Sequence, residues 1–211
     1  MTGWAWAALL LYGIWLLSAF GVRAVIQLRR TGDAGFRGLS GRPGSASWWA
    51  GVLFVAALLG AVAAPAATLA GLPLLLSEAR PVYATGAAIT VLGIVGTLAA
   101  QTAMGASWRV GVDQAERTAL VTSGAFAHVR NPIFTAMMVS GVGLVLMVPN
   151  VLAVASLAAL VVAVELQVRI VEEPYLQAVH GAAYTEYGAT AGRFVPGLGR
   201  LRPGTPGPDS G

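Results

Sequence analysis

Long apolar stretches alternate with short polar ones along this chain of 211 residues. A helix rises about 1.5 Å per residue, so roughly twenty apolar residues cross the ~30 Å hydrocarbon layer of a membrane. Five stretches approach or exceed this length, and they cover 4–26, 48–64, 82–101, 132–148 and 151–168. The last two are short and are joined only by Pro149-Asn150. The pattern predicts an all-α integral membrane protein with about five transmembrane helices and a C-terminal helical hairpin.

Proline and glycine add detail within the apolar stretches. Pro65 predicts the end of the second span, and Pro73 interrupts 66–80, which predicts a loop or a re-entrant segment there. The third span carries small residues that allow membrane helices to approach closely, and these are Gly86, Gly93 and Gly96.

The chain changes character after the hairpin. From Pro174 to Gly188 apolar residues recur at intervals of three and four, which predicts an amphipathic helix at the cytoplasmic membrane surface. Past Pro196 the chain is rich in glycine and proline, which favours disorder. The chain therefore divides into N-terminal transmembrane helices over 1–100, a core with the hairpin over 101–197, and a disordered tail over 198–211.

Composition supports the membrane assignment and excludes several kinds of chemistry. Hydrophobic residues make up 56% of the chain and charged residues only 10%, whereas soluble domains hold about 25% charged residues. Cysteine is absent, and two histidines are too few for a histidine-built metal site. The basic residues flank apolar segments and form no stripe with aromatic residues, so neither a metal nor nucleic acid is expected as a partner.

The thirteen basic residues are all arginines, and their distribution predicts the orientation of the chain. With five spans, twelve of them fall in 21–47, in 102–131 or after the fifth span, all on one side of the membrane. Only Arg80 falls on the other side. Because cytoplasmic loops collect arginine, we expect the N-terminus outside and these three segments in the cytoplasm, in a plasma membrane of bacterial type.

Two polar sequences then share the cytoplasmic face, and the first is Arg130-Asn131-Pro132. Asn is a good N-cap and Pro suits the first helical position, so these residues are typical of a plain helix start. The N-terminus of a helix also binds anions through its free N–H groups, and Arg130 would add a charged donor. These residues alone leave both interpretations open.

The second polar sequence contains the paired acids Glu172-Glu173, just past the end of the fifth span. Carboxylates are unfavourable at the C-terminal end of a helix dipole, and a capping role would explain only Glu173. Glu165, Arg169 and Glu172 are spaced four and three apart, so they share one helical face. That face is either functional or an ion pair that keeps the helix end soluble.

Three further residues on the cytoplasmic face are candidates, namely His128, Tyr184 and Tyr187. A lone histidine at an interface is commonly just a polar residue, and tyrosine is common there as well. Both tyrosines could also stack on a purine ring. A pocket built from these polar sequences would suit a polar cofactor from the cytosol and an apolar substrate from the bilayer.

Together these motifs resemble those of the isoprenylcysteine carboxyl methyltransferase group, which is related to the membrane phospholipid methyltransferases. The resemblance covers about 101–197 and rests on Gly124-x-Phe126-x-x-x-Arg130-Asn131-Pro132-x-Phe134, Glu172-Glu173-x-x-Leu176, Gly181-x-x-Tyr184-x-x-Tyr187 and Arg193-Phe194-x-Pro196. It implies an integral membrane enzyme that binds S-adenosylmethionine. The residues it implies for the cofactor site are Gly124, Arg130, Asn131, Glu172, Glu173, Tyr184 and Tyr187. Many members carry His in place of Asn131 and Tyr in place of Phe134.

The resemblance also implies methyl transfer to a lipophilic acceptor, a small molecule or a lipid, that enters from the bilayer. An oxygen or nitrogen would attack the sulfonium methyl, and Arg130 with the helix start would hold the cofactor carboxylate. A carboxylate acceptor is slightly favoured, and Arg169 would orient it. For an amine or hydroxyl acceptor, Glu165 or His128 would take the proton.

Two alternatives have a different chemistry. A sterol-reductase-like membrane reductase would hold NADPH, but Glu172-Glu173 stand where its phosphates would approach. A non-catalytic membrane subunit or small transporter would need polar residues near the middle of the spans, and the central parts of these spans have essentially none.

Overall fold

The computed structural model describes residues 2–36, 38, 41–76, 80–108 and 119–202, and within these ranges the chain forms helices and no strand. The helices are α1 (Thr2–Thr31), α2 (Ala46–Leu69), α3 (Arg80–Met104), α4 (Pro132–Met147), α5 (Val151–His180) and α6 (Ala182–Thr190). π-Helical turns occur in α1 and α5, and short 3₁₀ turns follow α3 and precede α4, at Leu17–Val22, Gln167–Glu172, Gly105–Ser107 and Gly124–Ala127. The all-α prediction is confirmed.

The apolar helices are those of an integral membrane protein. α1, α2, α3 and α5 are each long and apolar enough to cross a membrane. α4 is also apolar but has 16 residues, which gives about 24 Å of helix against a ~30 Å hydrocarbon layer. Four membrane-length helices and one shorter apolar helix therefore account for the five predicted apolar stretches.

The boundary predicted at Pro65 is wrong, because α2 continues through this proline to Leu69. Two side chains hold the turn around it: the Thr68 hydroxyl and the Asn150 amide both donate to the carbonyl oxygen of Ala64, at 3.2 and 2.8 Å. The predicted loop over 66–80 is thus helical in its first part. The chain over 70–76 lacks regular structure, and residues 77–79 lie outside the described residues.

The predicted start of an amphipathic helix at Pro174 is also wrong, because α5 runs on to His180. The π turn Gln167–Glu172 widens the helix just before the proline, which relieves the clash between a proline ring and the preceding turn. The break comes instead at Gly181, whose φ of 54° separates α5 from α6. The fifth span and the first part of the predicted amphipathic helix form one continuous helix.

The start of the predicted disordered tail is packed against the rest of the chain. Leu201 N donates to the carbonyl oxygen of Gly188 at 2.8 Å, and the carbonyl oxygen of Gly199 accepts from Arg130. The chain is therefore packed against the core as far as Leu201. Residues 203–211 lie outside the described residues.

α3 and α4 pack so closely that glycines of α3 lie against the backbone of α4. A Cβ atom on Gly86 would lie 2.7 Å from the carbonyl oxygen of Gly143, and one on Gly93 would lie 2.8 Å from that of Ala136. Real Cβ atoms do not approach backbone oxygens so closely, so these positions require glycine at this helix separation. The predicted role of the small residues in the third span is confirmed for Gly86 and Gly93.

The alternating directions of the helices bring five helix ends together at one end of the bundle. There Arg23, in the second half of α1, donates to the carbonyl oxygen of Gln101 near the end of α3, at 3.3 Å. The start of α4 and the last part of α5 meet at the same end, where Arg130 contacts Glu173. At the opposite end Leu75 N donates to the carbonyl oxygen of Pro149 at 2.7 Å.

Replacing Gly86 by valine should push α3 and α4 apart and destabilise the protein by about 1–3 kcal/mol. Gly13 in α1 is the matched control, because a Cβ atom there meets nothing within 4 Å. Thermal unfolding in detergent micelles, followed by circular dichroism, should therefore show a lower Tm for Gly86→Val than for Gly13→Val. Equal effects of the two substitutions would contradict the packing described for α3 and α4.

Candidate functional site

One large cavity lies at the end of the bundle where the five helix ends meet, and its volume is about 510 Å³. This volume falls within the roughly 300–1,000 Å³ that is typical of small-molecule sites. The polar residues of its described wall are Gln101, Ser107, Arg130, Asn131, Gln167, Glu172, Tyr184 and Tyr187. Most of the remaining wall is apolar. The cavity thus offers a few polar groups within a largely hydrophobic enclosure.

Arg130 is held in the wall of the cavity by four acceptors. Its Nη1 donates to the carbonyl oxygens of Gly188 (3.1 Å) and Ala191 (2.7 Å), and its Nη2 donates to Glu173 (2.6 Å) and to the carbonyl oxygen of Gly199 (3.0 Å). The Arg130 side chain is 1% exposed. Because its four terminal N–H groups are used within the chain, Arg130 fixes the wall and does not offer these groups to a ligand.

Glu173 lies behind the cavity between two arginines. Besides Arg130, it accepts two hydrogen bonds from Arg193, from Nε at 2.8 Å and from Nη2 at 2.9 Å. The charged guanidinium of Arg193 donates these hydrogen bonds to Glu173, and they raise the pKa of Arg193. One buried carboxylate therefore joins α5 to the loop before α4 and to the segment after α6.

Backbone hydrogen bonds connect the same segments. Arg130 N donates to the carbonyl oxygen of Gly192 at 2.7 Å, and Gly192 N donates to that of His128 at 3.0 Å. Asn131 N donates to the carbonyl oxygen of Arg193 at 3.1 Å. A Cβ atom on Gly192 would lie 2.9 Å from the carbonyl oxygen of Leu198 and still closer to that of Val195, so this turn requires glycine. The loop before α4 and the C-terminal segment fold as one unit.

The start of α4 faces the cavity with free backbone donors. α4 begins at Pro132, and within the described residues no side chain caps it, because the Asn131 amide donates instead to the carbonyl oxygen of Arg193. The N–H groups of Ile133 and Phe134 belong to the first helical turn and have no partner inside the helix. Both residues line the cavity. This end of α4 is therefore suited to an anionic group.

Glu172 supplies a carboxylate to the cavity from the π turn of α5. The side chain of Gln167, five residues earlier, also lines the cavity and donates from Nε2 to Glu172 Oε1 at 3.4 Å. In a π turn the backbone hydrogen bonds join residues five apart, so positions 167 and 172 lie near each other on the helix surface. The turn thus brings an amide and a carboxylate to one wall.

Tyr184 and Tyr187, both in α6, form an aromatic corner of the cavity. Their rings are edge to face with centroids 6.2 Å apart, and the Tyr187 hydroxyl donates to the carbonyl oxygen of Phe126 at 2.6 Å. Burial raises the pKa of both phenols, that of Tyr187 to about 12. Both therefore stay neutral near pH 7 and present ring faces, edges and hydroxyl groups, not a phenolate.

The structure brings five of the seven predicted cofactor residues to the cavity, and these are Arg130, Asn131, Glu172, Tyr184 and Tyr187. Glu173 lies behind the wall as the partner of two arginines. Gly124 has a φ of 61° and opens the 3₁₀ turn before α4, and it is not among the described lining residues.

The three predicted catalytic residues are not among the described lining residues of the cavity. Arg169 and Glu165 form an ion pair on the surface of α5, with side chains 58% and 38% exposed. His128 is exposed, and its backbone carbonyl accepts from Gly192. Their catalytic roles stay predictions that the cavity does not explain.

Sequence reasoning missed Gln167, Gln101 and Trp108 as lining residues. An α-helical repeat would place Glu165 on the same face as Glu172. With the π turn, Gln167 lies beside Glu172 instead. No sequence signal marked that turn. Trp108 is 2% exposed, and the Arg23 guanidinium lies over its ring, 5.1 Å from the ring centroid.

Arg130→Ala should destabilise the folded protein by about 3–5 kcal/mol, because it leaves Arg193 as the one arginine on buried Glu173 and removes the Arg130 donors from the carbonyl oxygens of Ala191 and Gly199. Arg169→Ala removes an arginine of an exposed pair and should cost at most about 1 kcal/mol. Denaturation in mild detergent, followed by tryptophan fluorescence, measures the difference. A cost for Arg130→Ala no larger than that for Arg169→Ala would rule out the structural role of Arg130.

Comparison with known proteins finds a matching family model. The family model described as phospholipid methyltransferase matches residues 81–183, from α3 to the start of α6. The match confirms the resemblance predicted from the motifs and implies a membrane methyltransferase activity. It includes Arg130, Glu172 and Glu173, whereas α1 and α2 lie outside it. A comparison with curated proteins gave no significant match.

Proposed function

We propose that this chain, which resembles the phospholipid methyltransferases over 81–183, transfers a methyl group from S-adenosylmethionine to a lipophilic acceptor that enters from the bilayer. The observation that carries the proposal is the composition of one cavity. Free N–H groups at the start of α4, the carboxylate of Glu172 and two tyrosines lie at its polar end, and most of the remaining wall is apolar, with α2 and α4 among the helices that contribute to it. A polar cofactor and an apolar acceptor thus have adjoining places.

The donor and acceptor groups of the cavity fit S-adenosylmethionine. The N–H groups at the start of α4 are suited to its carboxylate, and Glu172 is suited to its amino group or ribose hydroxyls. The rings of Tyr184 and Tyr187 would pack against its purine. The sequence pointed to Arg130 as a direct ligand of the carboxylate, but its four internal hydrogen bonds favour a supporting role.

When bound, the cofactor supplies a methyl group on a sulfonium leaving group. The remaining work of the protein is to align the acceptor and to exclude water. The ion-pair cluster around Glu173 keeps the start of α4 fixed relative to α5 and α6, so the groups that would bind the cofactor are set before it arrives. The apolar wall keeps water away from the reacting atoms.

Replacing Glu172 by glutamine should weaken S-adenosylmethionine binding by about 10- to 100-fold. A charge-assisted hydrogen bond contributes about 1.5–3 kcal/mol, and each 1.4 kcal/mol is tenfold in Kd. Isothermal titration calorimetry of the purified protein measures this change. Glu165→Gln is the matched control, since Glu165 is an acid of the same helix whose carboxylate lies on the surface, and it should leave Kd unchanged.

The same titration with NADPH separates this function from a reductase. Saturable binding of S-adenosylmethionine and of S-adenosylhomocysteine, without binding of NADPH, is the expected result. Binding of NADPH alone would overturn the proposal.

We further propose that the cavity faces the cytoplasm, because twelve of the thirteen arginines fall on its side of the membrane with five crossings. A reporter enzyme fused after Gly211 should be active in its cytoplasmic form and silent in its exported form. The same reporter after Gly71, at the opposite end of the bundle, is the control and should give the reverse pattern. An exported signal from the C-terminal fusion would contradict the orientation.

A further inference from the structure

The large cavity extends from its polar end into the apolar layer along α2. The residues that α2 contributes to the wall recur at intervals of three and four, and they are Ala50, Gly51, Phe54, Val55 and Leu58. They therefore share one face of the helix. Leu58 lies eight positions after Ala50, which corresponds to about 12 Å along the helix axis. The cavity is thus deep enough to take up part of a hydrocarbon chain.

Leu58 and Met137 mark the deep end of this cavity. Leu58 is the lining residue of α2 farthest from the start of that helix, and Met137 holds the same position in α4. Both helices start at the polar end, so both side chains lie at the greatest depth that their helices contribute. The Tyr12 hydroxyl donates to the carbonyl oxygen of Leu58 at 2.8 Å and holds α2 in place at this level.

A second, smaller cavity of about 50 Å³ lies beyond these two residues. Leu58 and Met137 line both cavities, so they form the partition between them. The serine and threonine hydroxyls that line the small cavity are turned to their own helices: Thr90, Ser140 and Ser156 each donate to the carbonyl four residues earlier. The space behind the partition is therefore suited to hydrocarbon.

We propose that Leu58 and Met137 limit the length of the hydrocarbon chain that the methyl acceptor inserts into the cavity. This inference rests on the proposed function and adds to it a substrate class, an amphiphile whose hydrocarbon chain ends at this partition. The group that fills the apolar part of the cavity is the hydrocarbon chain of the acceptor, because this part is continuous with the polar end where Glu172 and the start of α4 lie. Each methylene group that the cavity buries should strengthen binding about fourfold, until the chain end reaches the partition.

The test uses 1-alkylamines with even chain lengths from about 8 to 18 carbons as probes. This range is chosen to include chains shorter and longer than the apolar part of the cavity. Their ammonium group complements the carboxylate of Glu172. Binding is measured by native mass spectrometry of protein released from lipid nanodiscs, without S-adenosylmethionine. Wild-type occupancy should rise with chain length to a limit and then fall.

Removing the partition should move this limit. Leu58→Ala and Met137→Ala should each shift it to longer chains by at least one two-carbon step, and Leu58→Phe should shorten it. Leu59→Ala is the matched control, because Leu59 is the next residue of α2 and is 67% exposed, away from the cavity. Leu58→Phe and Met137→Ala keep the test decisive if Leu58→Ala does not fold.

The inference is overturned if the wild type shows no limit, if the partition variants leave it unchanged, or if Leu59→Ala moves it equally. In a parallel assay with tritiated S-adenosylmethionine, Glu172 is engaged by the cofactor and the alkylamine reacts as the free amine. Methyl transfer should again show a length limit, and the partition variants should move it in the same direction as in binding. A limit in binding but none in methyl transfer would assign the chain to a bound lipid and overturn the acceptor assignment. Failure of the wild type to bind S-adenosylmethionine would instead contradict the proposed function, and the alkylamine binding would then decide the role of the partition by itself.

Discussion

The rest of this site depends on one buried carboxylate, that of Glu173, which two arginines share. Arg130 approaches it from the start of α4 and Arg193 from the segment after α6, with side chains 1% and 15% exposed. Removing a charge from such a cluster is costly, because the remaining charges lose their partner away from water. The cluster therefore fixes three separate parts of the chain against one another, and the cavity wall is built on them.

This arrangement changes the interpretation of the paired acids. At a helix end two carboxylates are unfavourable, and the sequence suggested that both face a ligand. The structure divides them: Glu173 is turned towards the arginines, and Glu172 towards the cavity. Consecutive residues of a helix point about 100° apart, so two neighbouring acids can face different surroundings. The π turn that ends at Glu172 shifts the helical phase at this point. Wider turns of this kind often occur at functional sites.

The sequence predicted the apolar helices, the hairpin and the clustering of polar motifs at one end of the bundle, since these follow from hydrophobicity and charge along the chain. It failed at Pro65 and Pro174, where a local rule for proline is overridden by neighbouring side chains and by a π turn. The resemblance also implied that Arg130 binds the cofactor directly. Nothing in a sequence shows that the carbonyl groups of Gly188, Ala191 and Gly199 accept hydrogen bonds from Arg130. Contacts across sixty residues depend on the folded chain, and no local pattern encodes them.

The central claim is that the polar end of the cavity binds S-adenosylmethionine with the apolar part left for an acceptor. The most direct measurement is an experimental structure with S-adenosylhomocysteine bound in a lipid nanodisc. The account predicts density for the ligand beside Glu172 and the first turn of α4, with the apolar part along Phe54 and Leu58 unfilled by it. Density for the ligand outside this cavity, or along the α2 wall in place of the polar end, would contradict it.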